Sequence, residues 1–218
     1  MSEANDRIGG VMGETSKTRR TVLALGAASI AFPTLGMAEP AGYRWPMEVD
    51  LIPHPTNPPG PIERVSVRLE RRGPKLWLRY TIEGRVGEVE TPAEAAPDRT
   101  DELWKHTCFE VFIQTDGGYR EFNLAPSSRW ASYRFTGYRQ DMADADEIAV
   151  IEPLDLAADQ IALEAEVELP DPVGLLALST VIEATDGTIT YWALAHPSPE
   201  PDFHNPAGFT LSLPAEPA

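Results

Sequence analysis

The chain has 218 residues, 42% of them apolar, 24% charged and 8% aromatic, with 34 acidic side chains against 18 lysines and arginines and a formal net charge of −16. That length supports one substantial domain, the apolar fraction excludes wholesale disorder, and the acidic balance argues against nucleic acid or an anionic membrane surface as partner because the summed field repels both. A single cysteine, Cys108, excludes an internal disulfide, cysteine-based zinc sites and Cys-x-x-Cys haem attachment.

Residues 1–16 are polar and aperiodic. They precede Arg19-Arg20, a mildly apolar run over 22–32, and the small residues Gly36 and Ala38 on either side of Met37. A polar start, paired arginines, a short apolar core and a small-x-small exit together resemble a twin-arginine export signal. The expected organisation is a signal peptide over 1–38 and a periplasmic or secreted domain over 39–218. No membrane anchor is expected after signal removal, because the apolar run is shorter than the roughly 20 residues of a bilayer span. No cysteine stands at the exit to carry a lipid. A start at Met37 or Met47 would instead make the same domain cytoplasmic.

From Ile62 onward the hydrophobic period is two. Val65, Val67 and Leu69 alternate with Ser66 and Arg68; Leu76, Leu78, Tyr80 and Ile82 alternate with Trp77, Arg79, Thr81 and Glu83. Further strands are predicted over 107–114, 119–125, 130–135, 147–152, 161–167, 175–183, 188–195 and 209–213. Turn chemistry separates them at Arg72-Gly73-Pro74, Asp116-Gly117-Gly118, Pro170-Asp171-Pro172 and Asp186-Gly187, the last being the strongest hairpin signal. About ten short strands without a long amphipathic helix predict an all-β fold, an antiparallel β-sandwich of jelly-roll or immunoglobulin-like type in a single domain. The Pro-rich stretches 53–61 and 197–206 are too short to separate domains and read as loops.

Two regions are dense in residues that make sites. The first runs from Trp104 through His106, Cys108, Glu110, Glu121 and Asn123 to Trp130 and Tyr133; the second spans 191–197 and 201–206. Residues 51–55, 103–112, 121–123 with 130–131, and 191–196 with 202–204 resemble the DOMON-like β-sandwich superfamily, in particular a bacterial group akin to family nine carbohydrate-binding modules. The resemblance runs over about residues 50–213. It implies a sandwich of roughly ten strands that binds either a sugar or a haem.

For a sugar, the expected ligand-binding residues are Trp104, Trp130 and Tyr133 as stacking faces and His106, Glu110, Glu121 and Asn123 as hydrogen-bonding edges, because sugars present apolar ring faces and hydroxyl rims. For the haem alternative, the resemblance implies b-type haem held noncovalently by Met and His in an electron-transfer domain, with Met142 and His196 as the pair. His196, Glu200, Asp202 and His204 could also supply metal ligands, yet their spacing fits no standard motif, and Pro-rich loops commonly pin themselves with histidine-to-backbone hydrogen bonds. Calcium is compatible with the many acidic loops, and nothing in the sequence locates it. A glycan-active enzyme would need a carboxylate pair such as Glu110 and Glu121, or a nucleophile such as Cys108 beside His106. The chain has no Gly-x-Ser-x-Gly elbow, His-Glu-x-x-His, P-loop or Gly-x-Gly-x-x-Gly. The expectation is therefore a noncatalytic module for a carbohydrate or other small ligand, without a required cofactor.

Overall fold

The computed structural model describes residues 46–213; the expected signal peptide lies outside the described residues. Those residues form thirteen strands and three short 3-10 turns, with no helix long and apolar enough to cross a membrane. The strands are β1 (Met47–Pro53), β2 (Ile62–Arg72), β3 (Lys75–Gly84), β4 (Cys108–Thr115), β5 (Gly118–Leu124), β6 (Trp130–Phe135), β7 (Ala143–Asp144), β8 (Ala149–Ile151), β9 (Asp155–Leu156), β10 (Gln160–Glu168), β11 (Leu175–Glu183), β12 (Ile189–Ala193) and β13 (Leu211–Ser212).

All the strand pairings are antiparallel, in the order β7-β6-β5-β4-β11-β12-β1-β2-β3-β10-β8, with β9 on β10 and β13 on β11. The sheet curls on itself at β1. Met47 to Leu51 pair with β2, while Ile52 and Pro53 pair with β12, so this strand passes from one layer into the other. The predicted strands begin at Ile62 and do not include β1, although Met47, Val49 and Leu51 already alternate.

The inter-layer core follows from strand parity. Val65, Val67 and Leu69 of β2, Leu76, Leu78, Tyr80 and Ile82 of β3, and Ile161, Leu163 and Val167 of β10 meet Phe109, Val111 and Ile113 of β4, Phe122 and Leu124 of β5, and Leu176 and Leu178 of β11. Tyr80 places its ring against Phe109, centroids 5.1 Å apart, and donates its hydroxyl to the Glu110 carbonyl at 2.7 Å. The Asp186-Gly187 turn joins β11 to β12 as predicted: Gly187 takes φ of 84°, and the Asp186 carboxylate accepts from the Thr188 N–H at 2.9 Å.

The two layers differ on their outer faces. On β2, β3 and β10 that face is wet and charged, with Arg79 paired to Glu164 and Asp155. On β4, β5 and β11 it is buried as well, because loops fold over it and form a second apolar cluster of Phe112, Tyr119, Tyr133, Phe135, Ala177 and Phe209. The β4–β5 turn brings its backbone tightly against the end of β6. Gly118 has φ of 142°, and a Cβ there would stand 1.8 Å from the Phe135 carbonyl oxygen. Gly118→Ala is therefore expected to cost at least about 2 kcal/mol, read as a lowered urea midpoint at unchanged m-value.

Candidate functional site

The loops do not close the outer face of β4 and β5 completely. A cavity of about 420 Å³ remains, within the range of small-ligand pockets, and it is lined by Trp104, Glu110, Phe112, Glu121, Phe135, Arg139, Met142, Val181, Tyr191, Pro201, Phe203 and His204. Its floor is set by pairing register. Glu110 lies opposite Ser179 on one side and Asn123 on the other; Phe112 lies opposite Glu121, which lies opposite Tyr133. Glu110 and Glu121 are therefore diagonal neighbours on adjacent strands, facing the same way.

Both carboxyls are almost fully buried, at 3% and 4% exposure. Glu110 Oε2 accepts from the Ser179 hydroxyl at 2.9 Å. Glu121 Oε1 accepts from Asn123 Nδ2 at 2.7 Å, and Asn123 Oδ1 in turn faces the Cys108 thiol at 3.5 Å, which fixes the amide's orientation. Glu121 Oε2 is buried and has no hydrogen-bond partner. Burial raises both carboxyls well above the ordinary range, and for Glu110 the neighbouring Glu121 charge adds to it; the Ser179, Asn123 and Arg139 interactions only partly oppose this.

His204 Nε2 lies 3.8 Å from the orphan oxygen, too far for a hydrogen bond. His204 Nδ1 meets the Tyr119 hydroxyl at 2.7 Å, and that hydroxyl also accepts from the Arg139 backbone N–H at 3.3 Å. Burial and the Arg139 charge hold His204 down at about 4, so at neutral pH the ring is uncharged and the Glu121 contact is no ion pair. In the tautomer in which Tyr119 donates to Nδ1, Nε2 carries the proton, 3.8 Å from Glu121 Oε2.

Two loops roof the cavity and are tied together at Asp202. Its carboxylate accepts from Arg139 Nη2 at 2.9 Å and from the Tyr138 hydroxyl at 2.8 Å. Trp104 stands at the other rim on the 3-10 turn Leu103–Lys105, packed edge-on against Tyr133 at 5.8 Å. Tyr133 supports it from below and gives its hydroxyl to Asp101 at 2.7 Å.

Of the sequence-predicted binding residues, Trp104, Glu110 and Glu121 line the cavity, while Asn123 and Tyr133 lie beneath it as supports. Trp130 and His106 do not reach it. Trp130 is three residues from Tyr133 on one strand, so it faces the opposite side, where it packs on the inter-layer core and under the Arg99 guanidinium at 5.9 Å. His106 is exposed and bonds Glu183 Oε2 at 2.7 Å. The haem pair is not brought together: Met142 lines the cavity, but His196 donates Nε2–H to the Ile52 carbonyl at 2.9 Å and packs on His54. His196 thus pins its loop to backbone. Cys108 is fully buried on the β4 face that carries Glu110, where burial raises its thiol and its sulfur meets Asn123 Oδ1, while His106 is exposed and engaged by Glu183, so the two form no nucleophile and base. Among the described residues no group of three or more His, Cys, Asp or Glu side chains could hold a metal ion.

Sequence reasoning missed Arg139, Phe112 and Phe135 as site residues; Phe203 and His204 fall in the site-forming segment 201–206, where the sequence offers His204 as a metal ligand rather than a partner of Glu121. Strand parity could have found Phe112, since it shares a face with Glu110; Arg139 carries no such signal.

No protein-family model matches the chain. No curated protein matches it either. Among solved structures it is similar to a Bacteroides uniformis protein described as a candidate carbohydrate-binding protein, with 18% sequence identity and a TM-score of 0.49 over 75% of this chain and 84% of that one.

Proposed function

We propose that this domain is a noncatalytic carbohydrate-binding module whose ligand occupies the cavity on the outer face of β4 and β5. The observation that carries this reading is the geometry around Glu121 Oε2: a buried carboxyl oxygen without a hydrogen-bond partner, 3.8 Å from His204 Nε2. An unsatisfied buried carboxyl oxygen is costly. A hydroxyl group set between the two would accept from His204 and donate to Glu121, satisfying both at once. Sugars combine such hydroxyls with apolar ring faces, and the walls offer Trp104, Tyr191 and Phe203 to those faces. The sequence resemblance to family nine modules points the same way. Joined to the export-type leader read at residues 1–38, the reading is that of an exported module.

Trp104→Ala tests the assignment. Because Trp104 is only half-buried and lies at the rim, the variant is expected to lose sugar affinity at least about tenfold while its thermal midpoint stays within a few degrees of wild type. Calorimetric titration beside a melting curve reads both. A large stability loss with affinity unchanged would make Trp104 a packing residue and move the site elsewhere.

A further inference from the structure

We propose, resting on the carbohydrate reading above, that the preferred ligand is an amino sugar: its free ammonium group sits over the Glu110–Glu121 pair and a vicinal hydroxyl bridges Glu121 and His204. Two buried carboxyls on one floor call for a positive charge, and no side chain supplies it at contact distance. Glu110 is met by a hydroxyl and Glu121 by an amide, and Glu121 Oε2 is met by nothing. Of the groups facing the pair, Arg139 lowers both carboxyls only in part and is itself engaged by Asp202, while Tyr133 of β6 and Tyr80 of β3 are held protonated by burial. Arg139, from the loop after β6, has its Nη2 on Asp202, from the loop after β12. His204 on that second loop is uncharged, and burial keeps Tyr119 of β5 and Cys108 of β4 protonated.

The pair lowers its own charge by holding proton. An ammonium brings one positive charge and three N–H donors, so its binding favours the ionised carboxyls and releases proton to solvent. The aromatic walls add to this, since Tyr191 and Phe203 line the same cavity and offer rings to a cation. An N-acetyl group removes the charge, and a hydroxyl never carries it. The pocket therefore distinguishes the three substituents at one sugar carbon.

The test is calorimetric titration of the full chain with glucosamine, galactosamine and mannosamine, each beside its hydroxyl parent and its N-acetyl derivative, at pH 6.5 in two buffers of different ionisation enthalpy. The expected result is that at least one amino sugar binds about tenfold or more tighter than both counterparts, with a buffer-dependent heat that reports proton release. Glu110→Gln is expected to reduce that preference to about onefold. Equal or tighter binding of the hydroxyl or N-acetyl forms, or binding without proton release, overturns the amino-sugar assignment and leaves the carbohydrate reading intact. Binding of none of the sugars overturns both.

Discussion

Replacing Phe109 with alanine is expected to destabilise the domain by about 3–5 kcal/mol, the range for deleting a fully buried aromatic side chain whose surroundings cannot collapse. Phe109 has no exposed surface. It sits on β4 between β5 and β11, with its ring against Tyr80 of the other layer. Both neighbouring strands are held by ladders on either side, so the backbone is poorly placed to close the void. For a domain of this size the loss corresponds to a drop in thermal midpoint of roughly 6–20 °C. A drop of only a degree or two would mean that the two layers do not pack through Phe109.

One residue along, the opposite sign is expected. Glu110→Gln, alone or with Glu121→Gln, should stabilise the protein at pH 8 while weakening ligand binding. Both carboxyls titrate higher in the folded state than in the unfolded chain, because burial and mutual repulsion disfavour the charged forms. Above about pH 4.5 the folded state therefore binds more protons than the unfolded state, and wild-type stability falls as pH rises through neutrality. The slope approaches about 1.4 kcal/mol per pH unit for each extra proton held. The amides remove that titration and keep the Ser179 and Asn123 hydrogen bonds possible. Urea unfolding at pH 5 and pH 8 is the measurement: the double variant should gain on wild type at pH 8 and gain little at pH 5. Parallel pH profiles for wild type and variant would contradict the buried pair. Phe109 and Glu110 thus divide one strand between folding and function, one side chain on each face.

That division also explains what the sequence could convey. The strands β2, β3 and β10 were legible because one face is wet, so apolar and polar residues alternate cleanly. The β11–β12 hairpin was legible from Asp186-Gly187, a turn whose positive φ falls on glycine. On β4 the signal is different, since six consecutive residues from Cys108 to Ile113 are buried and alternation in polarity is weak. The candidate site was legible in part. Trp104, Glu110 and Glu121 were expected and line the cavity; parity alone separates Trp130 from Tyr133, since residues an odd number apart on a strand face opposite sides. The roof was not legible. Arg139 and His204 are about 65 residues apart in sequence, and only the curl of the sheet and the Asp202 clasp bring their loops over Glu121.

The most direct test of the central claim is a titration of the isotope-labelled full chain with a carbohydrate panel, followed by amide and indole resonances in two-dimensional NMR. The account predicts saturable shifts confined to the Trp104 indole, the β4 and β5 amides around Glu110 and Glu121, and the loop carrying Phe203 and His204. Shifts centred instead on the outer face around Trp77 and Arg79, or none with any sugar, would contradict it.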